Sequence, residues 1–339
     1  MSKPVKIGLV GFGRIGRNLY RIGYNNPNYQ FVAISDIGQP ESLHYLLMRD
    51  SVHGPMPETA VLEENHLILG KQKSRIFDGG QPGSIPWDIF DVDVVIDATG
   101  KFRKKEELYK YVNAGAKRVI VTVPALDEID RIVVIGANEQ DIAIEDRIIS
   151  STSSTVHVLT LMLKILDENF GLKRAMMTTV HAYTSDQPLA DSARSDLRRS
   201  RSAVENIIPN QTWAPGIVEE IMPQFKGKLD GIAFNVPVPD GSCIDLTSEL
   251  ERVPSVDELN RVMKDASEGE LAGIVGYTKD PIVSSDVIGI SETLIHDSIA
   301  TMNINNKLVK TISWFDNGWA YSKRILETID AYQRLEENS

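Results

Sequence analysis

The sequence is short of cysteine and of basic residues, and it has no long hydrophobic run. Its one cysteine, Cys243, cannot form an internal disulfide, which suits a reducing compartment. The 36 Lys and Arg residues are outnumbered by 47 Asp and Glu, so the net charge is −11. Such a chain is a poor general binder of nucleic acid or anionic membranes. No run approaches the ~18 apolar residues of a membrane span, and the start lacks a signal-peptide pattern. We therefore expect a cytoplasmic protein.

The 339 residues, 42% of them hydrophobic, are enough for a large core and for about two domains. In the first 150 residues, short apolar runs alternate with helical spacing. This pattern predicts a doubly wound α/β domain, with a parallel sheet that is buried on both faces. The predicted strands are 5–12, 31–36, 92–100, 118–125 and 131–138, and the first predicted helix is 14–25.

The pattern changes after residue 151, where longer strands follow one another with fewer helices between them. This arrangement is typical of an α+β domain with a mixed or antiparallel sheet. Strands are predicted at 174–184, 229–238, 242–250 and 307–315, and helices at 155–171, 256–269 and 318–338.

A glycine motif in the context of strand, turn and helix predicts dinucleotide binding. The stretch GFGRIG places Gly11, Gly13 and Gly16 in G-x-G-x-x-G spacing after the first strand. These glycines allow a tight turn and a close approach of the backbone to a pyrophosphate, which the helix N-terminus attracts. Asp36 ends the second strand, where its carboxylate is placed to accept hydrogen bonds from an adenosine ribose. Arg14 and Ile15, within the same turn, are included in the predicted cofactor site.

Residues 150–158, SSTSSTVHV, are rich in hydroxyl groups. They lie between a predicted buried strand and a predicted helix, where α/β enzymes often hold an anion or a nucleophile. The residues alone leave open whether any of these hydroxyls is reactive.

Several motifs occur in one order along the chain: GFGRIGRN, HAYT at 181–184, DLRRSR at 196–201, NIIP at 206–209 and SWFDN at 313–317. From about residue 4 to residue 330 the sequence closely resembles the glyceraldehyde-3-phosphate dehydrogenase family, including its erythrose-4-phosphate dehydrogenase relatives. The resemblance implies a Rossmann-type NAD(P) domain at 1–153 and 317–339, a catalytic domain at 154–316, and a homotetramer.

The resemblance also implies a catalytic pair, and one member is changed. In the family, a cysteine thiolate attacks an aldehyde, hydride passes to the nicotinamide, and phosphate or water attacks the thioester. Here Ser154 occupies the cysteine position, and His181 matches the partner histidine. A serine hydroxyl is a much weaker acid than a thiol, so we expect impaired redox chemistry. Three explanations stay open: an engineered change, a natural relative with altered chemistry, or a natural binding protein without turnover.

The predicted anion sites also depart from the family pattern. Asn235 stands where the family usually has an arginine that holds the substrate phosphate, and Trp213 stands where a glycine usually follows the threonine. Loss of a charge-assisted donor costs about 1.5–3 kcal/mol of phosphate-binding free energy. This loss favours an aldehyde other than glyceraldehyde 3-phosphate. His157 is predicted either to pack or lie on the helix surface, or to add a polar group to the site. The predicted substrate or phosphate ligands that match the family are Ser153, Thr155, Thr184, Arg199 and Thr212.

The cofactor prediction is NAD, with NADP left open. The Asp36 carboxylate would repel a 2′-phosphate, whereas the small residues at 191–193 and the adjacent Arg194 resemble NADP-tolerant relatives. The arginines of the basic run have an equally plain interpretation as a solvated loop. Further cofactor contacts implied by the resemblance are Thr99, Gly100, Asn317 and Tyr321.

Together these features predict an NAD(P)-dependent aldehyde dehydrogenase that acts on a small aldehyde, phosphorylated or otherwise acidic, without a metal. The rival hypothesis is an inactive nucleotide-binding regulator or scaffold, which would account for Ser154, Asn235 and Trp213. Polynucleotide binding through residues 194–201 is disfavoured by the net charge of −11.

Overall fold

A computed structural model of the chain describes residues 3–305 and 307–337. The ends of the predicted first domain, residues 1, 2, 338 and 339, therefore lie outside the described residues, as does the end of the helix predicted to reach 338. The chain separates into two compact units, Met1–Ser153 with Ser322–Ser339, and Ser154–Tyr321. No described helix combines the length and the apolar character needed to cross a bilayer.

The first unit is a doubly wound sheet, which in the described residues has nine strands in the order β10-β11-β9-β8-β1-β2-β7-β6-β5. The strands from β10 to β7 are parallel, and β6 and β5 continue as an antiparallel edge. Strands β8 and β9 are entirely buried, which explains their unbroken apolar sequences. The strands are β1 Val5–Val10, β2 Tyr29–Asp36, β5 Val61–Glu63, β6 His66–Leu69, β7 Gln72–Asp78, β8 Val94–Asp97, β9 Arg118–Val121, β10 Arg131–Ile132 and β11 Ile148–Ser150.

The helices α1 Arg14–Gly23, α2 Pro40–Met48 and α3 Lys105–Asn113 connect these strands, and a small pair, β3 Arg49–Asp50 and β4 Gly54–Pro55, follows α2. Strand β1 lies between β2 and β8, so the chain winds away from β1 in both directions. In such sheets the ligand crevice lies at the carboxyl ends of the strands, where the order reverses. Gly11 directly follows β1, Asp36 is the last residue of β2, and Thr99 lies two residues after β8, so all three are at this edge of the sheet.

The second unit is built on a mixed sheet, which in the described residues has seven strands in the order β13-β14-β12-β15-β18-β17-β16. Strands β12 and β14 run parallel, β15 and β18 are antiparallel to their neighbours, and β16 is parallel to β17. The predicted α+β architecture is thus observed. The strands are β12 Leu172–Ala182, β13 Ile208–Asn210, β14 Leu229–Val236, β15 Ser242–Leu250, β16 Val275–Thr278, β17 Leu294–Ile304 and β18 Leu308–Phe315.

The remaining helices are α4 Ser154–Phe170, α5 Ala214–Ile221, α6 Val256–Glu268 and α7 Trp319–Glu337. Helix α4 is buried along most of its length and packs against β12, β15 and β18. Helix α6 begins at Ser255, whose hydroxyl accepts a hydrogen bond from the Glu258 amide at 3.1 Å. Most of the predicted long elements are present, with ends that differ by a few residues.

One strand is much shorter than the sequence predicts. The apolar run 131–138 forms only the two-residue strand β10 and then turns. Gly136 adopts a positive φ of 89°, and the Asn138 side chain binds the backbone of the same turn at Val134 and Ile132. Local hydrogen bonds therefore replace the strand ladder that the apolar sequence predicts.

Candidate active site

The glycine turn after β1 has the geometry of a dinucleotide cradle. Gly11 has a φ of +86°, and a Cβ atom there would lie 2.9 Å from the Thr99 amide nitrogen. A Cβ atom on Gly16 would lie 2.1 Å from the Gly11 carbonyl oxygen, so α1 can approach the turn only without a side chain. Gly13 differs, because its missing side chain faces open space and it precedes α1 without a side-chain cap. The turn therefore fits a pyrophosphate beside the α1 N-terminus. Arg14 and Ile15 begin the helix.

The carboxylates at the same sheet edge are held by the backbone. Asp36 accepts hydrogen bonds from the Phe12 amide at 2.6 Å and the Gly38 amide at 2.8 Å, which ties the end of β2 to the glycine turn. Asp97, at the end of β8, accepts from the backbone amide and the hydroxyl of Thr99 and from the Tyr111 hydroxyl. Burial raises the pKa of Asp97. Gly100 follows with a φ of +67°, so Asp97 fixes the loop that carries two predicted cofactor residues.

In the second unit, His181 lies near the end of β12 in a network of backbone and amide groups. Its Nδ1 is 2.7 Å from the Ala182 carbonyl oxygen, and its ring packs edge-on against Phe315. The Asn317 amide nitrogen lies 3.1 Å from Nδ1 and 3.3 Å from Nε2. The structure thus brings the predicted catalytic histidine and Asn317, a predicted cofactor contact, into contact with each other.

Ser154 is the first residue of α4 and is half-buried, as is Ser153, whereas Thr155 is buried. Thr152, two residues earlier, adopts a φ of +56°, which is unusual for a β-branched residue. Strain of this kind, in the segment between β11 and α4, often marks functional sites.

Two predicted phosphate ligands converge on an acidic side chain. The Thr184 hydroxyl and the Arg199 guanidinium both donate to the Asp186 carboxylate, and Arg194 donates to the Asp186 backbone oxygen. The predicted ligand Thr212 instead accepts a hydrogen bond from the Ala214 amide at 3.2 Å, next to the start of α5. Carboxylate oxygens resemble phosphate oxygens as acceptors, so Asp186 engages donors that would suit an anion.

Asn235 is buried and lies directly opposite His181 in the parallel pair of β12 and β14. Its amide nitrogen donates to the Ala182 carbonyl at 3.3 Å, and its amide oxygen accepts from Asn210. Trp213 has 74% of its surface exposed, just before α5. Both departures from the family pattern therefore lie in the unit that carries His181.

His157 is packed rather than on the helix surface. Only 1% of its surface is exposed, and its ring meets that of Tyr321 edge-on, with centroids 5.5 Å apart. Tyr321 is itself buried. The packing alternative for His157 is thus the observed one.

Cys243, the one cysteine of the chain, lies on a strand next to His181 but does not face it. It pairs with Val180 across β12 and β15, so it projects from the face opposite to that of its neighbour His181. Burial, with the nearby charges of Asp245 and Asp297, raises the pKa of Cys243 to about 11. The sole thiol of the chain is therefore both misplaced and protonated at neutral pH.

Sequence reasoning missed several residues that build this network. Asn210 and Ser242 orient the side chains around His181, Asp240 accepts from the Asn317 amide, and Asp316 accepts from the Gly318 amide at the start of α7. The Asp and Asn of SWFDN were visible as a motif, but the roles of Asn210 and Ser242 depend on strand pairing.

Comparison with known proteins agrees with this geometry. Residues 153–317 match the family described as glyceraldehyde 3-phosphate dehydrogenase, C-terminal domain, and residues 5–105 match its NAD binding domain. The chain belongs to the glyceraldehyde-3-phosphate dehydrogenase family. It is 42% identical over 324 residues to glyceraldehyde-3-phosphate dehydrogenase of Priestia megaterium, covering 95% of this chain and 96% of the relative. The enzyme of Geobacillus stearothermophilus is 41% identical over 324 residues, at the same coverage. That of Mycobacterium leprae is 42% identical over 332 residues, covering 96% of this chain and 97% of the relative.

Family membership confirms an NAD-binding Rossmann domain followed by a catalytic domain, and with it NAD as the cofactor class and an oxidoreductase family. The individual site residues, the role of Ser154 and the substrate stay predictions.

Proposed function

We propose that this chain is built for NAD-dependent oxidation of an aldehyde other than glyceraldehyde 3-phosphate, and that Ser154 limits its redox step. The observation that carries the substrate proposal is Asn235, an uncharged and buried side chain opposite His181 whose amide groups both bond to the protein. A side chain so engaged does not offer the forked, permanently charged donor that suits a phosphate. The substrate is therefore an aldehyde with a differently placed polar or acidic group.

The chemistry at Ser154 follows from its hydroxyl group. In the family reaction, a thiolate adds to the aldehyde carbon, and the resulting alkoxide takes a proton to give a hemithioacetal. Bound NAD supplies the hydride acceptor for the next step. A serine hydroxyl needs a strong base to lose its proton, and the described partners of His181 include a carbonyl and an amide, which orient the ring without adding charge. We infer that addition to the aldehyde is slow in the chain as it stands.

The decisive experiment is a panel of phosphorylated, acidic and neutral aldehydes with NAD and with NADP, monitored by cofactor reduction. The Ser154→Cys variant is expected to exceed the unmodified chain by a hundredfold or more, on the order of a lost catalytic group. It should favour an aldehyde without the phosphate of glyceraldehyde 3-phosphate. Ser154→Ala is the control, because it removes the hydroxyl without adding a thiol.

The result also decides between the enzyme and its rival. If the Ser154→Cys variant binds NAD but reduces it with none of the aldehydes, the chain is a nucleotide-binding regulator or scaffold. If its best substrate is glyceraldehyde 3-phosphate, the inference from Asn235 is wrong.

We propose NAD rather than NADP because Asp36 places a carboxylate at the end of β2, beside the glycine turn. A second negative charge from a 2′-phosphate would be repelled there. The guanidinium of Arg194 is engaged by the Asp186 backbone. Cofactor titration with both dinucleotides tests this preference.

A homotetramer and a cytoplasmic location complete the proposal. Exposed apolar side chains in the second unit support association with further copies: Leu189, Leu197, Ile207 and Trp213. Light scattering after gel filtration measures the assembly, and a monomer would contradict it.

A further inference from the structure

The Ala182 carbonyl oxygen accepts two hydrogen bonds, one from the ring of His181 and one from Asn235. The His181 Nδ1 lies 2.7 Å from this oxygen, and the Asn235 amide nitrogen lies 3.3 Å from it. A carbonyl oxygen has two lone pairs and only accepts, so Nδ1 of the ring must carry a proton. The carbonyl therefore selects one tautomer of the histidine.

A second chain of hydrogen bonds places the Asn317 side chain against the same ring. The Ala182 amide donates to the Ser242 hydroxyl oxygen at 2.9 Å, and that hydroxyl donates to the Asn317 amide oxygen at 2.8 Å. The NH₂ group of Asn317 consequently faces the imidazole. Because Nδ1 is protonated, only Nε2 can accept from it. The bond to the Ala182 carbonyl thus makes Nε2 the acceptor nitrogen of the ring, and the Asn317 NH₂ group, a donor close to both nitrogens, is compatible with this tautomer.

The orientation of Asn235 is itself determined by β13. The Asn210 amide nitrogen donates to the Asn235 amide oxygen, which leaves the NH₂ group of Asn235 for the Ala182 carbonyl. Asn235 is buried, with 9% of its surface exposed, and the pairing of β13 with β14 brings the two asparagines together. An arginine at position 235 could not accept from Asn210, since a guanidinium has no acceptor atom.

We propose that Asn235 and Asn210 are positioning residues for His181. They hold the Ala182 carbonyl in the place where it binds Nδ1–H, and so keep Nε2 as the basic atom of the site. The inference rests on the proposed function for its catalytic meaning, but the tautomer is a property of the folded chain and is measurable without turnover.

The test is ¹⁵N NMR of the histidine rings in the full chain, at a pH where the imidazoles are neutral. Protonated and unprotonated ring nitrogens have well separated shifts. The unmodified chain is expected to show the Nδ1–H tautomer at His181. Asn235→Leu, which keeps the size of the side chain and removes its amide, should move the ring toward a mixture of tautomers. Asn210→Ala should give a smaller change in the same direction.

Asn206→Leu is the matched control. Asn206 also donates to a backbone carbonyl, that of Ser202, in the same unit and outside the network around His181. The buried His296 reports whether each variant has kept its fold. If Asn235→Leu disturbs the His296 signals, the His181 tautomer in Asn210→Ala becomes the test of the proposal.

The proposal is overturned if the unmodified chain shows the Nε2–H tautomer at His181. It is equally overturned if folded variants at both asparagines leave the His181 signals unchanged. In the Ser154→Cys background, Asn235→Leu should lower kcat more than it raises KM. An inert Ser154→Cys variant would count against the proposed function alone, because the NMR result stands without it.

Discussion

Buried polar residues in this chain form small hydrogen-bonded networks, and His296 lies partly satisfied in one of them, outside the candidate active site. Its Nε2 lies 3.0 Å from the Asn260 amide oxygen, and the Asn260 amide nitrogen donates to the Ser298 carbonyl. That second bond fixes the amide, so Nε2 must be the donor of the ring. Nδ1 is buried and has no hydrogen-bond partner among the described residues. Burial therefore lowers the pKa of His296 to about 4.

The lowered pKa predicts an acid-sensitive stability. The unfolded chain binds a proton at His296 near pH 6.5, whereas the folded chain resists it until about pH 4. The free energy of unfolding should thus fall as pH drops through this window, by about 3 kcal/mol from this group. Urea denaturation of the unmodified chain and of His296→Gln across the window measures the effect.

The glutamine variant keeps a polar side chain but cannot titrate, so its stability should change less with pH. Identical pH dependence of the two proteins would refute the assignment to His296.

At the scale of elements, the turn that ends α4 depends on a glycine. Gly171 adopts a φ of +70°, and a Cβ atom there would lie 2.7 Å from the Glu251 Cγ. Gly227, in the same unit, has nearly the same φ of +73° but faces open space. Both positions therefore require a left-handed backbone conformation, but only at Gly171 would an added Cβ atom meet a neighbouring side chain.

Alanine substitutions at these two glycines separate the cost of the left-handed conformation from the cost of the steric contact. Gly227→Ala should lower the free energy of unfolding by about 1 kcal/mol, the usual cost of a left-handed conformation. Gly171→Ala should cost about 1 kcal/mol more, because the added carbon meets its neighbour. Thermal unfolding of the two variants provides the comparison, and an equal loss in both would show that Glu251 moves aside freely.

Strand β17 is an element that the sequence analysis missed. It was not predicted, since Asp297 and Ser298 break its apolar pattern and an irregularity in pairing follows Asp297. Asp297 accepts a hydrogen bond from the Trp314 indole at 3.1 Å, across β18. Polar residues such as Asp297 make a strand look improbable from the local sequence. Hydrogen bonds to residues far away in the chain nevertheless stabilise them within the strand.

At the scale of the whole molecule, family membership makes NAD a ligand of the folded chain. A ligand that binds only the folded state raises the free energy of unfolding, by about 2.7 kcal/mol at a hundred times its dissociation constant. Two compact units also allow more than one unfolding transition. NAD is expected to stabilise the transition of the unit that contains the glycine turn.

Gly13→Ala tests that this stabilisation acts through the turn. Its new side chain would occupy the open space beside α1, where the pyrophosphate is expected. Without NAD, its stability should change by no more than about 1 kcal/mol. With NAD, calorimetry should show a smaller shift than in the unmodified chain. An undiminished shift would place the dinucleotide elsewhere.

Patterns within short segments of the sequence predict the two domain classes, the glycine turn and the place of Asp36 at the end of the second strand. These features depend on spacing and periodicity within short segments, which a sequence displays directly. Strand pairing, which no short segment displays, places Asn235 opposite His181, turns Cys243 to the other face and brings Asn210 into the network. The register between distant strands is set by how whole faces of the sheet pack. A shift of one residue would move every side chain of a strand to the opposite face.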